Sequence, residues 1–503
     1  MKTKRLLFLV VTLLLVSVLS ITALAADILL VAKDQEAVGF DPHKVPALSS
    51  IQIYQHIYNG LVDTDENGLI VPELATSWEI VGDTTYIFHL RQGVKFHNGR
   101  EMTATDVKYS FERILNPETA SIARSYFDKI KEITTPDPYT VIFELHEVYA
   151  DFLNNLANVW AAVVPKEVVE EHGDLMQVAV GTGPFMLNAW IPDNYTSLVK
   201  HPEYFEPGLP KVDELRYIVM KEEASRIAAL RTGSVHISSI TSEAATLLAN
   251  QKNLSIIEYP SLNYTYWGFN LTRPPFDNPK VRLAMSYAVD RELLAQIVYA
   301  GQAKVTGPVA PGQLRWALPI ESYPSYTPDP SKAKALLAEA GYPDGLNFKI
   351  KTASTYPYMI DTAVAIQHQL KQIGVNAEIE LVEWGAYIDA WKNTDHDSLV
   401  GLNGSGTTPD RALHFFFRTG GTGNVWGFSD PTFDALVDEA RLTVDEQKRY
   451  EMYARGQLML VNELAPNLFL NSPNQFFAVS DVVGGFNPTT TTGESVLKHV
   501  YFK

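Results

Sequence analysis

Along most of this chain, apolar positions recur with a period of either two or 3.6 residues. Tyr86–Arg91 alternates as a half-buried strand does, and the turn His97-Asn98-Gly99 follows it. Thr103-Ala104-Thr105-Asp106 then resembles a capping box with aspartate at its last position. Val107, Phe111, Ile114 and Leu115 come next and share one helical face. A second helix is predicted from Ala333, Leu336, Leu337 and Ala340, with Gly341 as its C-cap. A third carries Ile366, Leu370 and Ile373 before Gly374 and leads into an alternating strand, Ala377–Leu381. A fourth starts at Asp277-Asn278-Pro279, where the missing N–H of proline costs nothing, and buries Val281, Ala284, Met285 and Ala288. Arg282 on that helix is expected to tie to Asp277 or Asp290. Helix, glycine turn, strand is the rhythm of an α/β layer. Two segments break it: the proline-rich Thr306–Pro330, expected to be packing, and Asn403–Gly427 with its run Phe415-Phe416-Phe417, expected to be a functional loop.

The N-terminus puts Lys2, Lys4 and Arg5 before an apolar run, Leu6–Leu19, and then Ala23-Leu24-Ala25. This is the pattern of a secretory signal peptide spanning residues 1–25. The run is shorter than the ~20 residues that span a bilayer, so cleavage after Ala25 is expected. Lipoprotein anchoring needs a cysteine just after cleavage, and the 503-residue chain has none; Asp27 follows Ala26 instead. An untethered periplasmic protein is therefore expected. The formal charge is −17, and −20 without the three basic residues of the leader, which disfavours nucleic acid and anionic membrane surfaces as partners. The length calls for more than one domain. Nothing in the sequence signals oligomerisation, and a monomer is expected.

Motifs for chemistry are missing where an enzyme would need them. The glycine-bracketed serine of Gly404-Ser405-Gly406 lacks the spacing of a nucleophile elbow. His146-Glu147 has Ala150 where a zinc protease helix would place its second histidine. Gly181-Thr182-Gly183 continues into Pro184 and Phe185 and makes no dinucleotide fingerprint. No cofactor, metal site or catalytic residue is expected, and a secreted hydrolase stands as the competing class.

Four longer stretches carry a family resemblance. Ala75–Ile114 reads ATSWEIVGDTTYIFHLRQGVKFHNGREMTATDVKYSFERI, with Trp78 expected in the core. Gly181–Phe185 reads GTGPF, in which Gly183 and Pro184 form a tight turn suited to close backbone approach. Tyr266–Glu292 reads YWGFNLTRPPFDNPKVRLAMSYAVDRE, and Asp329–Asn347 reads DPSKAKALLAEAGYPDGLN. In this order they resemble the extracellular solute-binding proteins of family 5, which serve peptide, nickel and oligosaccharide ABC importers. The resemblance implies an α/β, two-lobed periplasmic-binding-protein (class II) fold with an inserted subdomain. Lobe I would comprise residues 26–266 and 472–503, with the insert at about 60–180, and lobe II residues 267–471. It also implies hinge closure on a ligand and recognition of the closed form by permease subunits.

The ligand contacts are expected at Asp41, Trp267, Gly268, Phe269, Tyr356, Tyr358, Trp384, Tyr387, Trp391, Asn403, Ser405, Asp410 and Trp426. Flat rings there would enclose peptide side chains or stack on sugar faces. For each tryptophan, core packing is an equal alternative. Dipeptide-binding members of the family place an aspartate four residues before the proline of a loop, and an arginine before Pro-Tyr. Here those positions hold Ser405, ahead of Pro409, and Tyr356 of Tyr356-Pro357-Tyr358. Losing both clamps removes charge-assisted bonds of about 1.5–3 kcal/mol each. The expected ligand is therefore a short oligopeptide rather than a dipeptide, with an oligosaccharide as the alternative.

Overall fold

Two sheets, each assembled from distant parts of the chain, hold the two lobes in this computed structural model, which describes residues 26–503 except 422 and 492. The expected leader, residues 1–25, lies outside the described residues. In lobe I seven strands run in the order Leu254–Tyr259, Gln475–Ser480, Ile237–Ile240, Ile28–Lys33, Glu214–Val219, Tyr195–Lys200, Phe185–Ile191. The run ILLVAK forms a central strand because it is apolar enough to be covered on both faces, and it pairs in parallel with both neighbours. Lobe II has five strands in the order Asn376–Val382, Asn347–Ala353, Ser398–Gly404, Asn263–Phe269, Asn467–Phe469. The first three are mutually parallel, and Asn263–Phe269 is antiparallel to both its neighbours.

The chain crosses between these sheets twice, and both crossings are short. Pro260-Ser261-Leu262 join Leu254–Tyr259 to Asn263–Phe269, and Asn471–Pro473 lead from lobe II into Gln475–Ser480. The crossings are cross-linked, since the Ser472 hydroxyl donates to the Asn263 carbonyl at 2.7 Å. Two adjacent extended connections are what a hinge between rigid lobes requires.

Inserted into lobe I is a four-stranded antiparallel sheet, ordered Ala75–Val81, Thr85–Leu90, Thr140–Leu145, Ile130–Asp137. The helix Ala104–Leu115 packs on it through Val107, Phe111 and Ile114, all fully buried. The capping box forms: Asp106 accepts from the Thr103 N–H at 2.9 Å. Trp78 lies half-buried 6.3 Å from Phe88, packed against the edge of this core rather than inside it.

The helices expected in lobe II span Pro279–Ala288, Pro330–Glu339 and Pro357–Leu370, and the strand after Gly374 spans Asn376–Val382. Gly341 (φ +93°) and Gly374 (φ +79°) both adopt the left-handed conformation that ends a helix. Arg282 departs from expectation. Its guanidinium donates to the carbonyls of Phe276 (2.6 Å), Leu464 (2.5 Å) and Ala465 (3.0 Å), so it ties main chain together instead of pairing with Asp277 or Asp290. Thr306–Pro330 folds as three short 3-10 turns that bury Trp316, Tyr323 and Tyr326. What Gly183 approaches closely is the protein itself: a Cβ there would lie 2.4 Å from the His56 carbonyl oxygen.

Candidate functional site: the cleft between the lobes

In open α/β sheets, ligands bind beyond the carboxyl ends of parallel strands. In lobe I those ends lead into Asp34-Gln35, after Ile28–Lys33, and Thr241-Ser242, after Ile237–Ile240. In lobe II they lead towards Tyr356, Trp384 and Ser405, after Asn347–Ala353, Asn376–Val382 and Ser398–Gly404 respectively. A cavity of about 540 Å³ lies between the lobes at this level. Its lobe I wall includes Asp34, Gln35 and Thr241; Tyr299 and Gln302 line it from lobe II, and Tyr259 and Gln475 beside the hinge.

On lobe II, several of the expected contacts gather into one aromatic group. Trp384 stacks on Tyr387 (5.4 Å, 10° between planes) and meets Tyr356 edge-on (5.0 Å, 82°). Tyr358 sits 5.8 Å from Tyr356, and Trp391 is half-buried against the same core. The Tyr387 hydroxyl donates to the Val400 carbonyl at 3.1 Å, which fixes the ring beneath Trp384. Trp384 keeps 37% of its surface exposed, so the group presents an open indole face. Burial pushes the Tyr358 hydroxyl up to about 12, leaving it a neutral hydrogen-bonding group at physiological pH.

Other expected contacts are placed elsewhere, for identifiable reasons. The Asp41 carboxylate is fully buried, paired with both terminal nitrogens of Arg113 (3.0 and 2.5 Å) and accepting from the Leu175 N–H (3.1 Å). It fastens lobe I to the helix of the inserted subdomain. Trp267 and Phe269 are fully buried in the lobe II core, with ring centroids 4.8 Å apart. Gly268 faces the opposite side of that strand, where a Cβ would lie 2.3 Å from the ring of Trp426. Trp426 is therefore a fully buried core residue, seated on Gly268 and edge-on to Tyr266 at 5.3 Å.

The Asn403–Asp410 loop divides its roles. Asn403 is half-buried on the outer end of its strand, opposite Tyr264. Ser405 is buried with its hydroxyl donating to the Leu262 carbonyl at 2.9 Å, which pins the loop to the hinge crossing. Asp410 lies 2.9 Å from Arg441 in a polar junction between lobe II and the inserted subdomain. There the Thr408 hydroxyl donates to Asp151 at 3.1 Å, Arg449 pairs with Asp151 at 3.3 Å, and the Ala150 N–H reaches the Arg441 carbonyl at 3.1 Å. Burial, reinforced by the Asp151 charge, pushes the Asp410 carboxyl up to about 7. The junction pairs Asp410 with Arg441 of its own lobe and sets it against the like charge of Asp151 across the boundary.

Asp34, Gln35, Thr241, Tyr299 and Gln302 were not singled out by sequence reasoning. The available signal for the first two was position: they follow directly on an apolar run that reads as a buried parallel strand. Tyr299 ends the helix Arg291–Tyr299 and carries no such mark. Among the described residues, no three His, Asp or Glu side chains converge as a metal site.

Two α/β lobes, joined by paired crossings and with a cavity between them at the strand ends of lobe I, define the class of two-lobed solute-binding proteins. The family model for bacterial extracellular solute-binding proteins, family 5 (middle region), matches residues 70–424, and the chain belongs to that family. It is similar to the glutathione-binding protein GsiB of Salmonella typhimurium strain LT2, with 33% identity over 372 residues, 73% of this chain and 72% of the relative. It is also similar to the solved structure of DppA from Helicobacter pylori in complex with the peptide STSA (28% identity, TM-score 0.73, covering 94% and 98% of the two chains). The structure of the oligopeptide-binding protein AppA from Bacillus subtilis with a nonapeptide matches at 26% identity and TM-score 0.72, over 95% and 99% of the chains. Proteins of this family are extracellular or periplasmic and bind solutes for ABC transporters.

Proposed function

We propose that this protein captures a short peptide in the cleft between its lobes and delivers it to the permease subunits of an ABC importer. The observation that carries the reading is the inter-lobe cavity at the carboxyl ends of the parallel strands of lobe I, closed from lobe II by Tyr299 and Gln302, together with the Tyr356–Trp384–Tyr387 group at the carboxyl ends of the lobe II strands. The similarity to glutathione- and peptide-binding proteins points to the same ligand class. Tyr356, Tyr358, Trp384, Trp391 and Asn403 are the contacts retained from the sequence reading, with the buried Tyr387 as the support of Trp384, and they are joined by Asp34, Tyr299 and Gln302. The open indole face of Trp384 also favours a second reading, an oligosaccharide stacked on it.

A thermal-shift screen of glutathione, tri- to pentapeptides, dipeptides and oligosaccharides separates these readings. A ligand at 100 times its dissociation constant stabilises the folded state by about 2.7 kcal/mol. Glutathione or longer peptides are expected to raise the melting temperature, and dipeptides to leave it unchanged. A response confined to oligosaccharides would replace the peptide reading, and turnover of any probe would replace binding with hydrolysis. The exported form is proposed to be a periplasmic monomer beginning at Ala26, which intact mass of the secreted protein checks.

A further inference from the structure

We infer that the ligand carries a cationic group and that Asp34 holds it. The inference rests on the reading of the inter-lobe cavity as the binding site. Charge in that cavity is one-sided. Its lining includes two carboxylates, Asp34 and Glu494, and no lysine, arginine or histidine. Glu494 is already engaged: it accepts from Gln52 Nε2 at 2.8 Å and from the Tyr217 hydroxyl at 3.1 Å, and it feels the charge of Lys33.

Asp34 shares the field of Lys33 but differs in exposure and in hydrogen bonding. It is exposed just after the first strand of lobe I, and among the described residues no hydrogen bond or ion pair involves its carboxylate. The base next to it in sequence, Lys33, turns into the core and donates to the Ser49 carbonyl at 2.7 Å. A carboxylate without a hydrogen-bonded or ion-paired partner in a cavity that no basic side chain lines favours a cation and repels a ligand carboxylate. Tyr259, one face of which stacks on Phe477, and Tyr299 line the same cavity and add aromatic surface near that cation. On the other lobe, Ser405 is closed onto Leu262 and brings no charge, so it does not compete for the role. The group is an ammonium or guanidinium, supplied by a peptide N-terminus or by a basic side chain.

Calorimetric titration of the full mature protein and of Asp34→Asn tests the assignment at neutral pH. The probes are Ala-Ala-Ala, its N-acetylated form, N-acetyl-Ala-Lys-Ala, and a glucosamine trimer with its fully N-acetylated counterpart. Amine-bearing probes are expected to bind the parent protein about 10- to 100-fold more tightly than their acetylated forms, the range of one charge-assisted contact. Asp34→Asn is expected to erase that difference by weakening the amine-bearing probes to the level of their acetylated forms, with the ligand-free melting temperature as the check on folding. Retained binding of N-acetyl-Ala-Lys-Ala assigns the cation to a side chain, and its loss assigns it to the N-terminus. If only the glucosamine trimer binds, and does so through Asp34, the peptide reading falls and the cation assignment stands. Equal binding of amine probes by parent and variant, or no binding of any amine probe by the parent, overturns it.

Discussion

Replacing Trp426 by alanine would hollow out the centre of lobe II, whereas the same change at Trp384 would strip an exposed ring from the cleft. Trp426 is fully buried and seats its ring on Gly268, where a Cβ would come within 2.3 Å of it, so nothing nearby can collapse into the space the indole leaves. Truncating a buried tryptophan of this kind costs about 3–5 kcal/mol. For a lobe of ~200 residues, each kcal/mol shifts the melting temperature by about 2–4 °C, so a loss of about 6–20 °C is expected without ligand. Trp384 keeps 37% of its surface in solvent and is held by two ring contacts, at 5.4 and 5.0 Å. Those pairs contribute about 0.5–1.5 kcal/mol each, about 1–3 kcal/mol together, so Trp384→Ala is expected to lower the ligand-free transition by about 2–12 °C, less than Trp426→Ala does. Its main effect is instead on peptide affinity, about tenfold by calorimetry, the loss of one good stacking contact. Scanning calorimetry without ligand, then titration with a bound peptide, separates the two. Equal losses of ligand-free stability in both variants, or a stable Trp426→Ala, would refute the assignment of one ring to the core and the other to the cleft.

Further outcomes are expected from other parts of the molecule. Gly183→Ala places a Cβ 2.4 Å from the His56 carbonyl oxygen, a backbone contact that cannot yield, and should cost about 1–3 kcal/mol or more in urea unfolding. Asp151→Asn leaves the buried Arg449 without its carboxylate at the junction between lobe II and the inserted subdomain. It should destabilise by about 3–5 kcal/mol, and Asp151→Asn combined with Arg449→Met should recover part of that in thermal unfolding. The fourth outcome concerns pH. Burial and the neighbouring Arg113 depress the His43 imidazole to about 4, so between pH 6.5 and 4 the unfolded chain binds a proton that the folded protein refuses. Stability should therefore fall on acidification through that window, by up to about 1.4 kcal/mol per pH unit from this residue, and His43→Gln should flatten the slope. Asp410 and Glu73, raised by burial to about 7 and about 8, act with the opposite sign. His56, His97, His396 and His414, lowered by burial, act with the same sign as His43. The His43 contribution is therefore read as the difference in slope between parent and His43→Gln.

Much of the fold was readable because its signals are local. Thr103 and Asp106 are three residues apart and can only cap the helix that follows them, and Gly374 marks a helix end whatever packs around it. Arg282 was harder. Nearby aspartates suggested ion pairs, but the carbonyls it reaches at Leu464 and Ala465 lie far along the chain. The candidate site shows the same divide more sharply. Trp267, Trp384 and Trp426 look alike as apolar residues in cleft-side segments, and periodicity does not say what covers each face of a sheet.

From its own pattern, the chain settled the alternation of strands and helices, their caps and turns, and the membership of a solute-binding family, because each depends on residues close in sequence. Only the tertiary structure decided which rings are sealed in lobe II and which stay open, and that Ser405 and Asp410 are bound to neighbouring segments. It alone brought Asp34 of the first strand to the same cavity as Tyr299. Burial and pairing depend on which distant surfaces meet across a sheet face or a hinge, and no local spacing encodes that.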